Sequence, residues 1–213
     1  MLRLLLICVL LFACQAQAGT VSGTITFPKT KGGKRIAVEK YTGKISGKVA
    51  RPPAPIAGVW LSRKGLTAPA NPKPQTLHQK NYQFRKSLIV VPKGTSVSFP
   101  NEDTDYHNIY SLSKTKPFDL GRYRKNEKPS PEITFDKAGL VELRCEIHEH
   151  MQARLLVVDS PYFAPTDASG NFKITNVPAG TYTLNAQLNR KKKWSTSVVV
   201  TSNGITRINL PLK

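Results

Sequence analysis

Four side chains carry most of the chemistry this sequence can offer. Cys145, His148 and Met151 stand at spacing C-x2-H-x2-M in L-V-E-L-R-C-E-I-H-E-H-M, residues 140–151. A thiolate, an imidazole and a thioether on one tight loop suit copper. Sulfur favours Cu(I), imidazole serves either oxidation state, and two imidazoles with one thiolate and a weak axial thioether form the blue-copper set. The second imidazole must come from elsewhere, and His107 in D-Y-H-N-I-Y supplies one at a strand-like turn.

Scarcity sharpens that assignment. The chain has four histidines, at 78, 107, 148 and 150, and three cysteines, at 8, 14 and 145. Met1-Leu2-Arg3, an apolar run from Leu4 to Ala13 and Ala16-Gln17-Ala18 form a secretory signal pattern with cleavage expected after Ala18. Periplasmic export follows as the expected localisation. Leu11-Phe12-Ala13-Cys14 is a loose lipoprotein match, with Phe12 an awkward fit, so anchoring through Cys14 is the alternative. Cys8 and Cys14 fall inside the signal, and a mature chain left with Cys145 cannot form an internal disulfide. A lone cysteine ordinarily reads as a small buried apolar residue. Here a His three residues on and a Met six residues on favour ligation.

His78 lies in a polar approach and reads as a solvated bystander. His150 reads as a surface imidazole on the ligand loop rather than a competing ligand. So small a histidine supply argues against a multicopper oxidase. Glu102, Asp103 and Asp105 could suggest a hard-cation site, but they better fit the loop that presents His107. No nucleophile-elbow, Walker-type or dinucleotide glycine pattern stands in a suitable context, and no enzymatic activity is expected.

The same stretches resemble the cupredoxin family, with the short ligand loop of amicyanin-type members. F-P-N-E-D-T-D-Y-H-N, F-D-L-G-R-Y, and C-E-I-H-E-H-M followed by A-R-L-L-V-V resemble periplasmic plastocyanin-like proteins often labelled methylamine-utilisation proteins, over about residues 75–185. The resemblance implies His107, Cys145, His148 and Met151 as ligands of one type 1 copper ion. It also implies that Asn108 ties the ligand loops together and hydrogen-bonds the thiolate through its backbone N–H. The implied function is one-electron transport with a redox partner protein. Periplasmic copper binding or delivery, and a metal-free β-sandwich interaction module, remain as alternatives.

Positioning such ligands requires rigid strands. Val141, Leu143 and Cys145 alternate with Glu142 and Arg144, the period of a half-buried strand. Strands are also expected at 19–27, 41–50, 56–61, 87–91, 95–99, 107–112, 133–135, 153–158, 195–201 and 205–210, with F-D-L-G-R-Y as a loop. The expected class is all-β: a Greek-key cupredoxin sandwich over 77–159 with a second, small β-sandwich. Residues 63–76, with Pro69, Pro72 and Pro74, read as a linker. The segment 160–213 resembles a transthyretin-like carboxypeptidase regulatory domain, and A-G-V-W-L at 57–61 matches an early strand of that module. Residues 19–62 and 160–213 are therefore expected to form one discontinuous sandwich.

The net charge of +19 is unevenly spread. Residues 19–100 carry 15 Lys/Arg against one acid, residues 101–160 carry 9 against 11, and residues 161–213 carry 7 against one. Nucleic acid is not expected as a partner of an exported protein. An anionic membrane surface or an acidic protein fits the basic flanks, and the alternative is a merely solubilising surface.

Overall fold

Short alternating runs separated by Gly, Pro, Asn and Asp turns give fifteen strands and no helix among the described residues. The computed structural model describes residues 17–27, 54, 56–127 and 131–211. Most of the expected signal segment (1–16) and the expected strand at 41–50 lie outside the described residues.

In chain order the first strands are β1 (Ala18–Thr26), β2 (Gly58–Ser62), β3 (Gln75–Thr76), β4 (Leu88–Pro92) and β5 (Thr95–Ser98). Next come β6 (His107–Ser111), β7 (Phe118–Tyr123), β8 (Glu132–Phe135), β9 (Gly139–Cys145) and β10 (Gln152–Val158). The last are β11 (Phe163–Pro165), β12 (Asn171–Pro178), β13 (Gly180–Gln187), β14 (Lys193–Val200) and β15 (Ile205–Pro211). Four sheets result, arranged as two sandwiches, as the all-β class anticipates.

The middle of the chain forms the first sandwich, with sheet β4-β10-β9-β6-β7 over sheet β3-β5-β8 and Greek-key connectivity. Its core contains Ile89, Val91, Val97, Phe99, Ile109, Phe135, Val141, Leu143 and Leu155. The second sandwich packs sheet β12-β1-β15 on sheet β11-β2-β13-β14. Strand β1 lies antiparallel to β12 and parallel to β15, so the earliest described strand joins the latest. Val21, Ile25, Val59, Leu61, Ile174, Tyr182 and Leu184 fill its interior.

Two apolar runs that do not alternate, Leu88-Ile89-Val90-Val91 and Leu155-Leu156-Val157-Val158, are buried on both faces. Ile89, Val91, Leu155 and Val157 point into the first sandwich. Leu88, Val90, Leu156 and Val158 form a separate apolar layer with Ile56, Trp60 and Phe163 of the second. A parallel pair covered on both sides favours such continuous runs, and β4 pairs with β10 in parallel.

Two expectations need correction. F-D-L-G-R-Y is strand β7 rather than a loop, paired antiparallel with β6. Its Asp119 carboxylate accepts the Gly121 N–H at 2.9 Å, and Gly121 takes φ +69°, so the turn-like residues form an irregularity within a strand. The Pro-rich linker also contributes an element. Gln75 and Thr76 follow the last proline and pair with Val97 and Ser98. Farther back, the Ala68 N–H donates to Asp159 at 2.8 Å, fastening the segment to the end of β10.

Candidate metal centre

Strand pairing brings the ligand candidates together. His107 opens β6 and Cys145 closes β9, and these strands pair with Ile109 opposite Cys145. Beyond Cys145 the chain turns at once. The Met151 N–H donates to the His148 carbonyl at 2.8 Å, and the Cys145 N–H donates to the Met151 carbonyl at 3.2 Å. This closed loop projects His148 toward His107.

Three donor atoms converge. Cys145 Sγ lies 3.7 Å from His107 Nδ1 and 3.8 Å from His148 Nδ1, and the two Nδ1 atoms are 3.1 Å apart. A triangle with those sides has a centre about 2.1 Å from every corner, close to the roughly 2.0–2.3 Å bonds that zinc, a first-row ion, makes to imidazole and thiolate. The donor set therefore fits one ion of that size. His107 and Met151 are fully buried, and Cys145 and His148 nearly so. Met151 also belongs to the core cluster around the site.

The environment prepares the thiol. Burial alone would push Cys145 up. Hydrogen bonds with His107 and His148, then the backbone N–H groups of Asn108 and His148, outweigh it and bring the thiol down to about 6. Burial likewise opposes a charged His107, but Asp103 and then Cys145 raise it overall. Asn108 links the two ligand loops. Its carbonyl accepts the Glu146 N–H at 3.0 Å, and its side-chain amide donates to Glu146 at 3.2 Å.

The loop before β6 holds the first imidazole. Asn101 donates to the carbonyls of Asp105 and Tyr123 at 2.9 and 3.0 Å, and accepts the Asp103 N–H at 2.8 Å. So held, Asp103 places a carboxylate oxygen 3.0 Å from His107 Nε2. Tyr82 stands edge-on to both imidazoles, with ring centroids 5.9 Å from His107 and 5.1 Å from His148.

Sequence reasoning placed Asp103 on the loop that presents His107 without assigning its contact, and it missed Tyr82. The i,i+4 spacing of Asp103 and His107 inside an Asn/Asp turn was an available signal for that contact. Nothing in the sequence singles out Tyr82.

The remaining histidines separate cleanly. His78 is half-exposed and pairs with Glu102 at 2.6 Å, outside the donor triangle. His150 is not the simple surface imidazole expected. It is half-buried, and its Nε2 lies 3.0 Å from the Tyr82 carbonyl. Burial lowers its pKa, more than the Tyr82 carbonyl offsets.

No family model matches the chain, and no curated protein matches it. Among solved structures, the Cu-containing nitrite reductase of Thermus scotoductus SA-01 aligns at 25% identity and TM-score 0.38, over 40% of this chain and 22% of that one. Amicyanin from Paracoccus versutus (Thiobacillus versutus) aligns at 17% identity and TM-score 0.36, over 47% of this chain and 97% of that one. A purple cupredoxin from Nitrosopumilus maritimus aligns at 22% identity and TM-score 0.34, over 40% and 99%. Each likeness covers less than half of this chain, and what the site can do follows from its own donor triangle.

Proposed function

We propose that this is an exported type 1 copper protein that carries single electrons, in which His107, Cys145 and His148 would hold the ion closely and Met151 would add a weak thioether donor. The observation that carries this reading is the buried Sγ–Nδ1–Nδ1 triangle set by the ends of two paired strands and the loop that follows Cys145. Copper, when bound, supplies one-electron cycling between Cu(I) and Cu(II). The chain's own residues do the rest. Strands β6 and β9 hold His107 and Cys145 in fixed register, the closed 145–151 loop aims His148, and the apolar core keeps water from the thiolate. A rigid, dry donor set limits rearrangement when the charge changes.

Copper delivery is the other reading of the same donors. Burial of both imidazoles beneath Tyr82 favours retention over rapid exchange. The second sandwich is read as a transthyretin-like module, supported by β2 carrying Gly58-Val59-Trp60-Leu61 beside β13. Its suggested role is docking rather than catalysis, and no catalytic residue is assigned. The redox partner is a protein not yet identified.

Loading the full chain with copper and recording metal content, visible and EPR spectra tests the assignment. One copper per chain with an intense thiolate-to-copper band is expected. A colourless protein at full copper occupancy would reject it.

A further inference from the structure

We propose that Asp103 is a positioning residue that both tunes His107 at the metal and locks the cover over the site. The inference rests on the copper reading above and goes beyond it to a residue that touches no metal.

One nearly buried carboxylate serves two structures at once. The Asp103 side chain is 10% exposed. Its Oδ2 lies 3.0 Å from His107 Nε2 and accepts the Tyr82 N–H at 2.9 Å, while Oδ1 accepts the Asn81 N–H at 2.7 Å. A carboxylate only accepts, so His107 Nε2 carries a proton, which leaves Nδ1 as the nitrogen able to give a lone pair to a metal beside Cys145 and His148. Such a carboxylate–imidazole pair fixes ring orientation and raises ligand basicity.

The other two bonds hold a costly turn. Asn81 and Tyr82 take φ of 53° and 57°, successive left-handed residues that are neither glycine nor free of strain. Their consecutive N–H groups converge on Asp103, as backbone nests converge on anions. The turn places the Tyr82 ring against both imidazoles, and the Tyr82 carbonyl meets His150 Nε2 at 3.0 Å. Tyr82 also donates its hydroxyl to Asp105. Removing the Asp103 charge should therefore favour the less charged Cu(I) and loosen the cover together.

The test uses Asp103→Asn and Asp103→Ala in the full chain. Both variants are expected to keep the thiolate-to-copper band but show a raised reduction potential. Copper affinity should fall, and removal by a chelator quicken, about tenfold or more. A role limited to stability would lower resistance to denaturant without moving the potential of folded, coloured protein.

A readout without copper separates this proposal from the copper assignment. By ¹⁵N NMR of the metal-free wild type, His107 should carry an Nε2 proton protected from solvent exchange, and that protection should fall in Asp103→Asn. A wild type lacking the thiolate band rejects the copper assignment, while the NMR result still decides the pairing. The proposal is overturned if wild-type His107 lacks a protected Nε2 proton, or if coloured Asp103→Asn keeps the wild-type potential. Should both variants fail to fold, the wild-type NMR measurement still decides.

Discussion

Cys145 is a thiol on which two opposing effects meet. Burial favours the neutral form, but four hydrogen-bond donors around sulfur favour the thiolate and prevail. A soft anionic donor is thus prepared before any metal arrives. Cys145→Ser is expected to abolish the thiolate band, since a hydroxyl is a poor soft ligand. His148→Ala should also lose the colour. His150→Ala should keep it, because its Nε2 engages the Tyr82 carbonyl instead. Visible spectra of the three variants at equal copper loading check this. Met151→Gln should retain copper and shift the potential, as a weak axial donor tunes more than it holds. Metal analysis and voltammetry of that variant supply the test, and complete loss of copper would contradict the axial role. These candidates could be picked out in the sequence because imidazoles and thiols are scarce. The acids could not be assigned, because neighbouring carboxylates in one turn find different partners. Glu102 pairs with His78 and Lys80, Asp103 with His107, and Asp105 with the Tyr82 hydroxyl. Loop geometry decides among them, and residue type does not.

Strands announce themselves through alternation, but their partners do not. β4 and β5 are joined by Pro92-Lys93-Gly94, β8 and β9 by a short turn, and β14 and β15 by Ser202-Asn203-Gly204, yet each pair splits between opposite sheets. Turn chemistry specifies a reversal of the chain, and packing then chooses the sheet. F-D-L-G-R-Y was obscured for a related reason, since its Asp and Gly mark an irregularity within a strand. Glycine at 23 also has a meaning visible only after assembly. A Cβ there would sit 1.7 Å from the Ile208 carbonyl oxygen, a backbone atom of β15 that cannot swing aside. Gly23→Ala is expected to cost about 3 kcal/mol, the upper part of the usual overpacking range. Urea unfolding measures it, and the copper spectrum should stay unchanged because β1 belongs to the other sandwich. Leu156→Ala, in the apolar layer between sandwiches, should cost about 2–5 kcal/mol by the same measurement and again spare the spectrum.

Across the whole molecule, charge and chemistry are segregated. The segment that carries the donor triangle is nearly neutral, while the segments on either side are strongly basic. Arg190 reaches across to Glu142 of the first sandwich at 2.8 Å. Beside it, the Lys191 and Lys192 N–H groups both donate to Asn189, each at 2.9 Å, holding this basic loop in a compact turn. We propose that the basic surface docks on anionic lipid, independently of copper. Exposed charges are screened over about 8 Å at physiological salt, so vesicle binding should weaken steeply as salt rises. Replacing Lys191, Lys192 and Lys193 with Gln should reduce sedimentation with anionic vesicles and leave the visible spectrum unchanged. Salt-insensitive binding, or none, would leave these lysines as solubilising charges only.

The pairing of the earliest described strand with the latest imposes an order of assembly. Thr20 lies opposite Ile205 and Val21 opposite Ile174, with the whole first sandwich between them in sequence. Closing so long a loop as unstructured chain is entropically unfavourable and slows folding. Once the insert has folded, Leu61 and Tyr162 are already hydrogen-bonded neighbours at 2.9 Å, and the remaining strands have far less chain to bring together. The insert is therefore expected to fold first. Strand β1 has no edge to join until β12 and β15 are in place, so burial of Val21 and Ile25 is expected to come late. Their protection from hydrogen exchange should therefore appear after that of the inserted sandwich during refolding.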